Sequence, residues 1–199
     1  MTQPPSNVGW TPFFVGAANG YISGNQLYLD SPVNTFAGFG APASLWPAIS
    51  SDPAGWRVEA NCTILSRAIN NAGDSCLQLI AGDGTYRHFL DIFPDHIALI
   101  QFPYSGVTTF PVAAEGTFHT YVMTGVGPNL TVTVDGAPAI NATMIGTSPG
   151  FNTFQFGDLL FNNETHSAWN YVAFGSVPAP AATALLPIAG LLAARRRRR

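Results

Sequence analysis

Cleaving a glycosidic bond calls for two carboxyl groups roughly 5–10 Å apart, and alternate positions on a β-strand aim two side chains at one face. The chain offers no such pattern. Its three glutamates, Glu59, Glu115 and Glu164, each lack an acid two residues away. Asp91 and Asp95 come nearest, but Pro94 breaks the strand between them. The four histidines, His88, His96, His119 and His166, are scattered along the chain. His119 in "FHTY" is expected as a strand histidine on the face opposite the core residues Phe118 and Val122. Cys62 has no basic neighbour in sequence to activate its thiol as a nucleophile.

Other chemistries are better represented. Calcium takes six to eight oxygen ligands from carboxylates and carbonyls. Asp83, Asp135 and Asp158 each adjoin a glycine, and Asp83 and Asp158 are the candidate calcium ligands. Asp-Gly is also a strong hairpin signal, so each reads first as a turn residue. Glycan binding needs aromatic platforms beside planar polar groups. Trp46 in the loop "SLWPAI" and Tyr104 in "FPYSG" are the candidate exposed platforms, whereas Trp56 falls on a core face. Cys62 and Cys76 do not form a CxxC motif, which excludes the usual zinc and redox spacings. They read either as a disulfide across one hairpin or as two small buried apolar side chains. Asn61, Asn129, Asn141 and Asn163 are each followed two residues later by threonine, the spacing of a glycosylation acceptor.

These residues must be positioned by many short strands. Hydrophobic residues make up 47% of the 199 and charged residues only 10%, against a usual charged fraction of about 25%. Asn, Thr, Ser and Gly therefore carry the surface, as suits an extracellular β protein. The 20 glycines and 16 prolines punctuate the chain every few residues. In "WRVEANCTI", Trp56, Val58, Ala60, Cys62 and Ile64 alternate with Arg57, Glu59, Asn61 and Thr63, which predicts a half-buried antiparallel strand. In "LTVTVDG", Leu130, Val132 and Val134 face inward and Asp135-Gly136 turns the chain. Ten such strands are expected: 9–15, 26–29, 56–65, 76–81, 87–93, 96–102, 117–124, 130–134, 153–156 and 169–174. Residues 31–55 read as loop with at most one short helical turn. Ten to fourteen strands in one domain imply an all-β antiparallel sandwich of jelly-roll type.

The segments "GWRVEANCTI", "LQLIAGDGTYRHFLDIFPDHIALI", "GTFHTYVMTG", "LTVTVDG", "FQFGD" and "WNYVAFG" follow one another over residues 9–175. In this order and spacing the chain resembles the LamG-like, concanavalin A-like jelly-roll domains. That resemblance implies a carbohydrate-related role. Such folds include glycoside hydrolases that carry a Glu-x-Asp-x-x-Glu triplet, which this chain lacks. A carbohydrate-active enzyme with a different site is the alternative reading.

The end of the chain carries a different signal. All eight cations are arginines, and five of them form the terminal run Arg195, Arg196, Arg197, Arg198 and Arg199. Residues 1–194 hold three arginines against eleven acids, a formal charge of −8, so the body attracts no nucleic acid. Val177 to Ala194 are 18 uncharged residues, about 27 Å as a helix and close to the ~30 Å hydrocarbon core. Arginines directly behind such a run act as a cytoplasmic stop. Val177-Pro178-Ala179-Pro180, then "LLPIAGLLAARRRRR", resembles the PEP-CTERM sorting signal of bacterial surface proteins, with Ala179 where that signal usually has glutamate. The resemblance implies export, transient retention in the inner membrane, and processing by an exosortase. The expected organisation is a jelly roll over 1–175, a Pro-rich linker and sorting motif over 176–180, and a hydrophobic helix with an arginine-rich end over 181–199. The amino terminus has no basic, apolar leader pattern, although export is what the rest of the chain suggests. The leading expectation is a non-enzymatic surface or matrix protein whose partners are an extracellular glycan and the processing enzyme.

Overall fold

The computed structural model describes residues 5–69, 77–101, 106–144, 147–159 and 163–178. Fourteen strands are present among them: β1 (Thr11–Val15), β2 (Asn19–Ser23), β3 (Gln26–Ser31), β4 (Phe36–Gly40), β5 (Trp56–Ile69), β6 (Leu77–Gly82), β7 (Arg87–Ile92), β8 (His96–Gln101), β9 (Gly106–Pro111), β10 (His119–Val126), β11 (Asn129–Val134), β12 (Ala137–Thr143), β13 (Phe154–Asp158) and β14 (Asn163–Ser176). One helical turn, α1 (Trp46–Ser50), lies between β4 and β5. The strands form two seven-stranded sheets. The first runs β1-β4-β13-β6-β7-β8-β9 and the second β12-β11-β10-β5-β14-β3-β2. Every strand pairing is antiparallel. The result is the expected jelly-roll sandwich.

The alternation read from the sequence sets the core. Trp56, Val58, Ala60, Cys62 and Ile64 of β5 are all buried, as are Leu130, Val132 and Val134 of β11. An aromatic seam joins the sheets: Trp10 packs edge-on against Phe156 at 5.2 Å, and Phe156 meets Trp169 at 4.9 Å. Edge-to-face rings add about 0.5–1.5 kcal/mol per pair beyond burial. Between β11 and β12 the chain turns through Asp135 (φ 52°) and Gly136 (φ 80°), two successive left-handed residues that match the twist of a tight hairpin.

Residues 31–55 depart from expectation. They hold β4, a strand between β1 and β13, as well as the helical turn α1. The sequence "FAGFG" looks like a loop because glycine packs nothing and weakens a strand. Here the glycine is required. A Cβ on Gly38 would lie 2.6 Å from the Phe156 carbonyl and 2.8 Å from both Leu159 and the Phe13 ring. The strands β2, β9 and β12 are also absent from the ten expected. Each lies at a sheet edge, where one-sided pairing relaxes the demand for alternation.

The register of β10 also differs. His119 pairs with Cys62, Tyr121 with Ala60 and Met123 with Val58. Tyr121 and Met123 therefore face the core, and His119 shares their side at the end of the strand. Val122 points away from the other sheet, contrary to expectation, because the inward phase of β5 fixes that of its neighbour. At the C-terminal side, Ser176 pairs with Trp56 and the Val177 N–H donates to the Gly55 carbonyl at 2.9 Å. The sheet thus claims the first two residues of the expected linker, and Pro178, which has no N–H, follows. The rest of the expected sorting signal lies outside the described residues: Ala179, Pro180, the hydrophobic helix, and the basic stop Arg195, Arg196, Arg197, Arg198 and Arg199. No described helix is long and apolar enough to cross a membrane.

Candidate functional site

The strands β4, β13, β6 and β7 run side by side in the first sheet. Phe39, Phe156, Leu79, Ala81 and Leu90 point between the sheets, so their sequence neighbours point away from the core. Gln155, Ile80 and Phe89 are aligned across β13, β6 and β7 on that outward side. An exposed sheet face would leave them in water. Instead Ile80 is only 5% and Phe89 only 6% exposed, so this side is sunk beneath a rim. A hollow of about 480 Å³ opens there, lined by Phe13, Phe36, Ile80, Arg87, Gln155 and Leu159.

Local sequence builds each wall. Phe13 of β1 stands over Gly38 and packs edge-on to Phe36, with ring centroids 6.3 Å apart. Arg87 begins β7 opposite Gly82. A side chain on Gly82 would overlap both the ring and the carbonyl of Phe151, so glycine lets Phe151 lie against the strand. The Arg87 guanidinium carbon sits 3.8 Å from the Phe151 centroid and 4.5 Å from that of Phe89. Such cation–π contacts contribute roughly 0.5–2 kcal/mol and hold the group in place. On the same side of the sheet, the Gln78 amide donates to Asp91 Oδ1 at 2.8 Å, and both residues are buried.

Among the described residues the lining is aromatic and apolar with one amide and one cation, and it contains no carboxylate. Asp91 has Gln78 and Ala98 as its cross-strand neighbours, neither of them acidic. Asp95 is exposed in the β7–β8 turn, 2.7 Å from His96 Nδ1. Among the described residues the paired carboxyls of glycoside hydrolysis are not assembled in this hollow.

The sites expected from the sequence are distributed differently. Trp46 is a correction: it is 1% exposed, and its indole N–H donates to the Gly82 carbonyl at 2.7 Å. Its ring packs against Trp56 and Phe154, so it is a core residue and offers no platform to solvent. Tyr104 lies outside the described residues. The candidate calcium ligands are not brought together. Asp83 follows β6 and closes its turn, its Oδ1 accepting the N–H groups of Thr85 and Tyr86 at 2.8 and 2.7 Å. Asp158 ends β13 near the opposite end of β6, beyond the Gly157–Gln78 pair, and is buried. Among the described residues no three His, Cys, Asp or Glu side chains are grouped to hold a metal ion. Cys62 is buried in the core, and the loss of solvent pushes its thiol pKa up. Cys76 lies outside the described residues, and so does the pairing of the two cysteines.

Each histidine has its own setting. His119 is held by Asp135 Oδ2 at 2.6 Å and by the Ala113 carbonyl at 3.0 Å, an anchor for the β11–β12 hairpin. Asp135 also accepts the Thr120 N–H at 2.8 Å, and that bond lowers its pKa most, with His119 adding to the effect. His166 lies 2.8 Å from Asp30 and 3.3 Å from Glu164. His88 is wholly buried beside Trp56, and neither ring nitrogen has a hydrogen-bond partner. Burial pushes its pKa down to about 4, partly offset by Asp83. The sequence does hold one Gly-x-Ser-x-Gly spacing, Gly146-x-Ser148-x-Gly150, of which Gly146 lies outside the described residues. Ser148 lies in irregular chain with its N–H on the Thr85 carbonyl, and the next element is β13 rather than a helix.

The outward side of the second sheet carries a polar row. The Tyr28 hydroxyl donates to Gln26, Gln26 to Asn170, Asn170 to Asn61 and Asn61 to Thr120 at 2.5–2.9 Å. These groups satisfy one another. What sequence reasoning missed is the hollow of the first sheet. Its signal was the alternation Arg87, Phe89, Asp91, on the side of β7 opposite the core.

The chain matches no protein-family model and no curated protein. Solved structures share its architecture. It is similar to the Crh5 transglycosylase in complex with NAG at 11% identity and a TM-score of 0.61, covering 87% of this chain and 81% of that one. Alginate lyase AlgAT5 from Polysaccharide Lyase family 7 is 8% identical with a TM-score of 0.53, over 80% and 82% of the two chains. A β-1,3-glucanase from Mycobacterium marinum is 14% identical with a TM-score of 0.51, over 78% and 77%. At these identities the likeness is one of fold, and it places the chain among the antiparallel jelly-roll sandwiches.

Proposed function

We propose that this is a non-enzymatic surface or matrix protein whose jelly roll binds a glycan in the hollow of the first sheet. The observation that carries this reading is the lining itself: Phe13 and Phe36 beside Gln155 and Arg87, in a 480 Å³ hollow whose described lining holds no carboxylate. Apolar and aromatic walls with a few placed polar groups are the usual make-up of a small-ligand site. The neighbours whose names denote enzymes or ligands of carbohydrates support the ligand class. They also keep a carbohydrate-active enzyme as the second reading, with Asp91 as its buried carboxylate. The test is a glycan array run beside a screen for reducing-end release. Binding without turnover, weakened by Phe13→Ala and Phe36→Ala, supports the first reading. Release of reducing ends would replace it with the second.

The tail belongs to the same proposal. Val177-Pro178-Ala179-Pro180, the apolar run and the basic stop of Arg195, Arg196, Arg197, Arg198 and Arg199 act as a PEP-CTERM-like address, read by an exosortase after export. Fractionation of cells producing the full chain tests this. Replacing the five arginines should release the protein from the membrane fraction or leave it unprocessed. Unchanged distribution and mass would refute the address.

A further inference from the structure

We propose that the outward side of the second sheet is a separate glycan-binding site, an open platform for a neutral polysaccharide chain of flat, equatorially hydroxylated sugars. It goes beyond the reading of the hollow and does not depend on it, since the two lie on the outer sides of different sheets. Glycan binding needs aromatic rings beside planar polar groups, and this side supplies both. Tyr21 of β2 is 53% exposed and Tyr171 of β14 is 38% exposed. Tyr21 pairs with Tyr28 across the ladder, and their rings stack with centroids 5.2 Å apart. The Tyr171 hydroxyl donates to Glu59 at 2.6 Å, which fixes that ring as well. The strands β2 and β14 flank β3, so the two exposed tyrosines are separated by two strand spacings, about 10 Å. One sugar ring cannot cover both, whereas a chain can.

A β-bulge makes the arrangement possible. The register of β14 against β5 shifts between Trp169 and Tyr171. Trp169 is buried in the core, yet the Asn170 side chain reaches Gln26 and Asn61, and that of Tyr171 reaches Glu59. Two consecutive residues therefore point outward, where regular alternation allows one. Asn170 links Gln26 to Asn61, so the amides stand in one row before a ligand arrives and lose little side-chain entropy on binding. The row uses one N–H of the Gln26 amide and one of the Asn61 amide, and each has a second to offer a sugar hydroxyl.

Charge selects the ligand. Arg57 is paired with Glu59, and Asp30, Glu164 and His166 sit together toward the other end of β14. Between them Gln26, Tyr28, Asn61 and Asn170 are uncharged. A neutral chain brings no charge to be desolvated there. Neither the body at −8 nor the five terminal arginines attracts or repels it, so its binding should not respond to salt.

The experiment is adsorption of the full chain to microcrystalline cellulose and to chitin, two neutral probes, read by depletion from solution. Tyr21→Ala and Tyr171→Ala are measured beside Tyr21→Phe and Tyr171→Phe, with thermal unfolding as the check on folding. The two alanine substitutions together should weaken adsorption at least about tenfold. The phenylalanine variants should stay within about threefold of the parent, because each keeps its ring. Salt up to about 0.5 M should leave the parent unchanged. Tyrosine nitration with and without a soluble cello-oligosaccharide, mapped by peptide mass, locates the contact without any substitution: Tyr21 and Tyr171 should be protected. If Tyr171→Ala does not fold, Tyr21→Ala and the nitration pattern decide. Adsorption that survives the tyrosine substitutions and is lost in Phe13→Ala overturns the proposal and leaves the hollow as the glycan site. Absence of adsorption to both probes overturns it, as does full nitration of Tyr21 and Tyr171 at saturating ligand. Adsorption that falls away with salt also overturns it, by assigning the contact to the charged tail.

Discussion

Acidification from pH 7 to pH 4 should weaken the fold through one side chain, His88. The imidazole is fully buried between the sheets, 5.4 Å from Trp56, and makes no hydrogen bond. Desolvation disfavours its charged form and lowers its pKa from 6.5 to about 4, against a smaller opposing effect of Asp83. The unfolded chain binds a proton near pH 6.5, and the folded chain does so only near pH 4. Between these values the unfolded state holds more protons, so stability falls as pH falls. Full stability is present above pH 6.5, is lost progressively down to about pH 4, and changes little below that on account of His88. A pKa difference of about 2.5 at 1.36 kcal/mol each amounts to about 3 kcal/mol, a large share of the stability of a typical domain. The measurement is urea unfolding at intervals from pH 7.5 to pH 4, for the parent and for His88→Leu. The variant should be at least as stable as the parent at pH 7, because it removes two buried nitrogens without partners. It should also lose about 3 kcal/mol less on acidification. His96, His119 and His166 are common to both chains and cancel in the difference. Parallel pH curves for the two proteins would refute the reasoning and assign the acid sensitivity elsewhere.

Gly82→Ala forces a methyl group into Phe151 and should cost roughly 1–3 kcal/mol while weakening glycan binding; calorimetry and thermal unfolding read the two losses separately. Trp46→Phe leaves the Gly82 carbonyl without its indole donor and should cost about 1–3 kcal/mol of stability. Loss of glycan affinity at unchanged stability would instead restore Trp46 as a platform. Asp135→Ala removes the acceptor of the Thr120 N–H and puts alanine at a φ of 52°, for a loss of about 1–2 kcal/mol. Asp135→Asn, which tolerates that φ, should lose less in the same unfolding assay. Native Cys62 should resist iodoacetamide because it is buried and its thiol stays protonated; peptide mass mapping showing alkylation as fast as in urea would contradict its place in the core.

The sandwich and much of its core were legible in the sequence because period-two alternation is a local property. Trp56 to Ile64 and Leu130 to Val134 show it in the residues alone, and Asp135-Gly136 marks the turn. The strand β4 was not legible, since "FAGFG" makes sense only when Phe13, Leu159 and the Phe156 carbonyl occupy the space a side chain would fill. The phase of β10 was not legible either, because it is inherited from β5 across the ladder. Trp46 shows the same limit: its neighbours suggest a loop, but a carbonyl 36 residues away claims its indole.

The candidate site depended most heavily on contacts between distant residues. Phe13, Phe36, Ile80, Arg87, Gln155 and Leu159 come from five strands and one loop. No spacing in the sequence links them, and glycines at 38 and 82 open the room they share. By itself the sequence determined the all-β class, the acidic body and the order of the tail, an apolar run closed by arginines, because composition, alternation and charge order need no partner. The tertiary structure alone decided which side of which sheet is hollow and which arginine lies in it. Those depend on strand order and on close approach between residues far apart in the chain.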